Sequence, residues 1–189
     1  ALRQAQGKPP LEVWNIVFNQ FFCTGSREQL MSGNAELKPL EIAGIDTGMG
    51  LERLAMISQN TETIFETDLF SSVAESIAES VDIRTKRIVL DHCRAITFLL
   101  CDGVRPSNKE RGYVLRRLMR RVVVHEHLAG ESAIPVEHIL ETIVQQYNEF
   151  YPTLATETVL AEWKAEKEKF GKTLKSGMKE LFRITTLDA

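Results

Sequence analysis

The sequence predicts a mainly α protein with a short antiparallel β portion near its beginning, on three observations. Leu11–Phe22 is rich in β-branched and aromatic residues, the composition of a strand of about 10 residues. Glu41–Thr47 supplies a returning strand, reached through a stretch holding Gly25, Ser26, Ser32, Gly33 and Asn34; so short a connection favours antiparallel pairing. From Leu51 onward apolar residues recur at threes and fours, the period of helices that bury one face.

Ala1–Pro10 is polar, holds Gly7, Pro9 and Pro10, and reads as a loop. In the first strand Val13, Asn15, Val17 and Asn19 share one face, and Trp14, Ile16, Phe18 and Gln20 share the other. The second face is apolar enough to belong to a core; the first carries two amides and suits a pocket floor. Antiparallel return brings Asp46 near Asn15.

Leu51–Ile57 starts the helical part, and Asn60–Glu66 interrupts it. Asp68–Val81 spaces Leu69, Val73, Ile77 and Val81 by four, with Asp68 as its N-cap. Thr85–Leu100 follows, with Ile88, Val89, Cys93, Ile96, Leu99 and Leu100 inward. A turn through Asp102, Gly103, Pro106, Ser107 and Asn108 leads to a basic helix at Tyr113–Leu128, closed by Gly130. Its core residues are Val114, Leu115, Leu118, Val122 and Val123, with Arg117, Arg120, Arg121 and Val124 toward another side. Pro135 opens a helix at Val136–Tyr151. Thr153–Ile184 is a long helix or an interrupted pair whose narrow stripe, Leu160, Trp163, Phe170, Leu174, Met178 and Leu181, suits packing on a neighbouring helix. No closing element follows at Thr185–Ala189, so the expected boundary is one imposed on a longer protein.

Composition is that of a globular chain: of 189 residues 43% are hydrophobic and 26% charged. No apolar run approaches the roughly 20 residues of a membrane span, and no secretion signal opens the sequence, so a cytoplasmic protein without a membrane partner is expected. Cys23, Cys93 and Cys101 read as free thiols, and the four histidines lack ligand spacing, so no metal site is expected. The net charge of −3 conceals an asymmetry. Arg105, Lys109, Arg111, Arg116, Arg117, Arg120 and Arg121 oppose the single acid Glu110, giving +6 in one short segment and leaving −9 elsewhere. Such a segment fits an anionic partner. It also fits a basic face paired with the chain's own acid.

Two runs carry chemistry. In Gly44-Ile45-Asp46-Thr47-Gly48-Met49-Gly50-Leu51-Glu52-Arg53-Leu54, glycines permit close backbone approach, Asp46 can accept from a substrate ammonium, and Arg53 can clamp phosphate or stack on a base. The same glycines also suit a turn and a close-packed helix start. The run is neither a P-loop, lacking Gly-Lys-Ser/Thr, nor a dinucleotide fingerprint, its third glycine being misplaced. The second run extends from Asp91-His92-Cys93-Arg94-Ala95 through Asp102-Gly103-Val104-Arg105-Pro106-Ser107-Asn108 to Arg111-Gly112-Tyr113-Val114-Leu115-Arg116-Arg117. It sets a polar turn beside arginines, a surface able to hold a phosphate backbone while one amide inspects a base edge in the shallow groove of RNA. Asn108 is the candidate reader, because its amide both donates and accepts; it is equally an Asn that caps or turns the chain.

The first run resembles the third signature motif of class II aminoacyl-tRNA synthetases, and its Asp-Thr-Gly-Met-Gly-Leu-Glu-Arg wording resembles the alanyl-tRNA synthetases. The second is similar to the opening of that family's tRNA-recognition domain. With Trp-Asn-Ile-Val-Phe and Asp-Leu-Phe in the same order, the similarity spans about Leu11 to Gly130; beyond, only the helical pattern carries it.

The resemblance implies residues 1–58 as the C-terminal part of a class II catalytic domain, with its third motif. It implies residues 59–189 as a helical tRNA-recognition domain, incomplete at its C-terminus. It further implies an ATP-dependent ligase that activates alanine, with Mg, and passes it to tRNA(Ala) bearing a G·U pair in its acceptor stem. Asp46 would then hold the substrate ammonium, Asn15 and Val17 would line the amino-acid pocket, Gly48 and Gly50 would make room for adenylate, and Arg53 would meet ATP. Asn108 would read the wobble pair, while Arg111, Arg116, Arg117, Arg120 and Arg121 would engage the stem backbone or brace that surface. No catalytic nucleophile is implied, such chemistry being positioning and charge stabilisation.

Two further signature motifs are expected before residue 1, and a second base reader and an editing domain beyond residue 189. The partners expected are therefore the remaining synthetase domains, and the isolated chain is expected to be inactive. The competing reading is a non-catalytic helical RNA-binding or partner-binding module; a more remote one is an unrelated nucleotide-binding enzyme.

Overall fold

The computed structural model describes residues 10–187; the loop expected over the preceding nine residues and the last two of the chain lie outside them. Two compact units divide between Thr67 and Asp68.

In the first unit β1 (Trp14–Cys23) and β2 (Leu37–Met49) form a two-stranded antiparallel ribbon. Asn15 pairs with Gly48, Val17 with Asp46 and Asn19 with Gly44; the register then shifts before Phe21 meets Pro39. β2 begins four residues ahead of the expected Glu41, through Pro39, which a strand accepts where no partner needs its missing N–H. The connection holds a short helix, α1 (Arg27–Met31), entered through a capping box: Gln29 N donates to Ser26 Oγ at 3.3 Å and Ser26 N to Gln29 Oε1 at 2.8 Å. Gly50 ends the ribbon, its N–H donating to Val13 O at 3.0 Å, and caps α2 (Leu51–Ser58). A 3₁₀ turn follows at Ile64–Glu66.

The face of Trp14, Ile16 and Phe18 was expected in a core, and is not: these residues are 55%, 50% and 66% exposed. Each strand of a two-stranded sheet has one neighbour in its plane, and pairing alone lays no second layer over either face.

The second unit is helical: α3 (Ser71–Ala74), α4 (Ile83–Cys101), α5 (Glu110–Ala129), α6 (Val136–Tyr147) and α7 (Thr156–Leu187). α3 corrects the expected Asp68–Val81 helix. Asp68 is not its cap; Phe70 occupies that position without a side-chain bond. After Ala74 the chain tightens into bonds spanning three residues, at Ser76, Ile77 and Val81, and Ala78 N donates out of the segment to Ala133 O at 2.9 Å. A tertiary bond there competes with helix continuation. Val73, Ile77 and Val81 are nonetheless buried, so the apolar stripe survives the loss of the helix. The working cap is Asp82, whose carboxylate accepts from Arg84 N and Thr85 N at 3.0 Å.

α4 packs on α5, α6 and α7, and α7 packs on α5 and α6 as well. Val89, Cys93, Ile96 and Leu100 of α4 meet a core shared with Leu115, Met119 and Val122 of α5, Ile139, Leu140 and Ile143 of α6, and Val159 and Trp163 of α7. Each such side chain contributes about 1.5–3 kcal/mol by leaving water. α5 starts at Glu110, ahead of the expected Tyr113, and rotates the expected face: Val114 is 53% exposed and Met119 is buried. Leu115, Met119, Val122, Val123 and Glu126 form the helical stripe, and Val114 stands one residue off it. α6 stops at Tyr147, short of Tyr151. α7 is one continuous helix of 32 residues, so the interrupted alternative falls away.

Candidate functional site

Antiparallel register decides the first constellation. Directly opposed residues share a face, so Asn15, Val17 and Asn19 stand with Gly48, Asp46 and Gly44 on one side of the ribbon. Asp46 lies opposite Val17 and one step along that face from the Asn15–Gly48 pair. The glycines do not serve backbone conformation, since neither Gly48 nor Gly50 has a positive φ. A Cβ added at Gly48 meets nothing within 4 Å. Internal packing does not need a glycine there either; what glycine provides is a bare patch of strand beside an exposed carboxylate. One turn into α2, Arg53 donates from Nη1 to Glu12 O at 2.7 Å, which ties its guanidinium to the chain entering β1. A guanidinium is a fork of five N–H donors, of the kind that meets an anion or an aromatic plane.

The second constellation is the turn between α4 and α5. Ser107 N donates to Gly112 O at 3.0 Å, and Ser107 Oγ donates to Lys109 O at 3.0 Å, fastening the chain on both sides of Asn108 to the start of α5. Here glycine is demanded: a Cβ on Gly112 would fall 2.9 Å from Ser107 Cβ and nearer still to Ser107 Oγ and Arg105 O. Glu110 adopts φ 48°, a left-handed conformation that a non-glycine residue holds at a cost of about 1 kcal/mol, and it turns the chain into the helix. Asn108 is exposed at this corner, and its Oδ1 accepts from Arg116 Nη1. A cleft of about 270 Å³ opens beside it, walled by Arg105, Ser107, Lys109 and Arg111.

The basic segment divides into two groups. Arg120 Nε donates to the buried carboxylate of Glu166 at 2.7 Å and its guanidinium lies 4.9 Å from the centre of the Phe170 ring. Arg105 Nε meets Glu162 at 2.9 Å. These two cations join α5 and the preceding turn to α7. Arg117 lies over Tyr113 at 5.7 Å, and Arg111, Arg117 and Arg121 are exposed. Sequence reasoning passed over Glu162 and Glu166, and gave Phe170 only as part of the packing stripe of the last helix. The one signal for the two glutamates was spacing, since Glu162 and Glu166 precede Phe170 by eight and four on one face of α7.

Among the described residues no three His, Cys, Asp or Glu are grouped to hold a metal, and no helix is long and apolar enough to cross a membrane. Cys23, Cys93 and Cys101 are free thiols.

Comparison with known proteins bears on both constellations. The family described as tRNA synthetases class II (A) matches residues 2–187. An alanine–tRNA ligase of Rhizobium johnstonii is 42% identical over 183 residues, covering 93% of this chain and 20% of that protein. Those of Stenotrophomonas maltophilia and Hydrogenovibrio crunogenus are 42% and 39% identical over 176 and 178 residues, covering 89% and 90% of this chain and 19% and 20% of theirs. The chain thus spans about a fifth of the length of the curated relatives it matches. A match over nearly every residue, and over both constellations, shows that this chain belongs to the class II (A) family of tRNA synthetases.

Proposed function

We propose that this chain works as part of an alanine–tRNA ligase of the cytoplasm, in which its first unit helps to hold alanine and ATP and its second engages the acceptor stem of tRNA(Ala). The observation that carries the first half is the bare strand at Gly48 beside Asp46, where neither φ nor packing calls for glycine. Asp46 accepts from the substrate ammonium, Asn15 and Val17 floor the amino-acid pocket, and the absent Cβ atoms of Gly48 and Gly50 let the adenylate lie against the backbone. Arg53, braced on Glu12 O, meets ATP.

In the reaction the alanine carboxylate attacks the α-phosphate of ATP and pyrophosphate leaves. No protein nucleophile is called for; the chain's residues bind and orient. ATP would bring Mg with it as substrate in the full-length enzyme, where the metal would supply charge neutralisation; among the described residues no three His, Cys, Asp or Glu are grouped to hold it.

For the second half, Asn108 inspects the G·U pair from the minor groove while Arg111, Arg117 and Arg121 meet the stem backbone. Arg120 braces that surface through Glu166, and Arg116 does so through Asn108. The relatives' length supports assigning the remaining parts of the active site to further synthetase domains. The isolated 189-residue chain then forms no alanyl-adenylate. Alanine-dependent pyrophosphate exchange by the purified chain would overturn that division of labour.

A further inference from the structure

We propose that the exposed length of α7 is a second line of contact for the sugar-phosphate backbone of an RNA duplex, made by Lys172, Lys175, Lys179 and Arg183 and entered through a cleft beside Gly171. It rests on the reading of the second unit as a binder of the acceptor stem, and adds a surface that α5 does not contain.

α7 has two parts. Its buried residues, Val159, Trp163 and Glu166, all lie before Lys167, and the cations around them are taken up within the chain. Lys164 Nζ lies 3.2 Å from Glu137 Oε2, and Lys167 holds Glu126 and Glu131. From Gly171 to Leu181 no residue is buried, which at 1.5 Å per residue is about 15 Å of helix.

Along this exposed part Lys172, Lys175, Lys179 and Arg183 are spaced by three, four and four, so they share one face. Between residues 171 and 187 the sequence holds one acid, Glu180, and the segment carries +3 in a chain whose net charge is −3. Lys175 and Lys179 meet no carboxylate among the described residues. A face that serves solubility alone mixes both signs. A row of one sign fits a partner bearing a row of the other.

The row starts at a cleft of about 340 Å³ between α7 and the end of α5, with Val123 and His127 on one wall and Gly171, Lys172 and Lys175 on the other. Its carboxylates are already matched, Glu126 and Glu131 by Lys167 and Glu168 by Lys172 at 2.9 Å. Glycine weakens a helix, yet Gly171 has no positive φ, and a Cβ added there meets nothing within 4 Å. What it supplies is a bare stretch of wall where a backbone can come close.

An RNA duplex fits this row better than an acidic peptide does. The charges are evenly spaced along one continuous helix, as phosphates are along a duplex, and Arg120 ties α7 at Glu166 and Phe170 to the helix whose Arg117 and Arg121 are assigned to the stem. Lysine meets phosphate as a point charge, so these contacts add affinity and carry no sequence.

The test uses the 189-residue chain and acceptor-stem minihelices carrying G·U or G·C, bound over a range of salt. Lys175→Gln and Lys179→Gln are each expected to weaken both minihelices about fivefold and to lower the salt slope by about one, with stability in urea unchanged. Lys164→Gln removes the same charge from the same helix, and is expected to leave affinity and slope as they were, its ammonium being held by Glu137. Gly171→Leu fills the cleft without altering charge and is expected to weaken both minihelices; full-strength binding by that variant would take the cleft out of the site.

Unchanged slopes in Lys175→Gln and Lys179→Gln, or a loss in Lys164→Gln as large as theirs, would overturn the proposal. So would a polyglutamate peptide bound as tightly as the RNA and weakened by the same variants, which would make the partner an acidic protein. A parent chain that binds the two minihelices equally, with slopes that fall in the lysine variants, would sink Asn108 as a reader and leave the row on α7 standing.

Discussion

Lys167 Nζ lies 3.0 Å from Glu126 Oε1 and 2.7 Å from Glu131 Oε1, so one ammonium of α7 holds two carboxylates at the end of α5. Glu126 is buried, and burial pushes its carboxyl above the ordinary 4.5, with the Lys167 hydrogen bond pulling it part of the way back. A raised acid binds more protons folded than unfolded, so its contribution to stability is present below 4.5 and is lost as pH rises through the folded value. Lys167→Met removes the opposing pull. The variant should be about 2 kcal/mol less stable at about pH 8, below the ~3–5 of a fully buried pair because Lys167 is partly solvated, and should lose less at about pH 5. Urea unfolding at the two pH values checks this. Equal losses at both would contradict the assignment.

Glycine 112 offers a sterically defined test of the turn. Gly112→Ala places a methyl group against Ser107 and Arg105 O, and neither backbone nor hydroxyl can move without breaking the Ser107 bonds. A loss of about 1–3 kcal/mol is expected in urea unfolding. Unchanged stability would mean that the turn is not fastened to α5.

Gly48→Ala tests the opposite case. A Cβ there meets nothing in the chain, and alanine suits a strand at least as well as glycine, so stability should change by less than about 0.5 kcal/mol. In a ligase bearing this segment the same methyl group should raise the KM for alanine or ATP by about tenfold or more. Stability lost with KM unchanged would make Gly48 a structural glycine.

The three thiols should differ in reactivity. Cys93 is fully buried; burial pushes its thiol far above the ordinary 9.0, and the Glu126 carboxylate adds to the shift. Thiolate is the reactive form, so Cys93 should resist a thiol reagent until the unit unfolds, while the half-buried Cys23 and Cys101 react in the native chain. Modification of three thiols at one rate in native protein would contradict the buried placement.

The ribbon was legible because period-two alternation is written in the strand itself: Asn15, Val17 and Asn19 share a face by spacing, and the pairing placed Gly48, Asp46 and Gly44 opposite them. α4, α5 and α6 were legible within a few residues at each end for the same reason, their period being local. What local patterns do not contain is partnership at a distance. Glu166 takes Arg120 across 46 residues, which converts one arginine of the basic segment into a brace. The apolar face of Trp14, Ile16 and Phe18 was written as plainly as any core stripe, yet it is exposed because pattern says what a face prefers and not what lies over it. α3 failed through competition: the four-residue stripe was right about burial, while Ala78 bonding to Ala133 stopped the helix.

The central claim, that this chain reads an alanine acceptor stem through Asn108, is tested most directly by minihelix binding at two salt concentrations. The chain and Asn108→Ala are each given the G·U stem and its G·C counterpart. The account predicts a G·U preference of about tenfold in the parent chain, lost in the variant, above a salt-sensitive affinity common to both. Equal, salt-sensitive binding of the two stems by the parent chain would contradict it and leave only a basic face that docks on RNA.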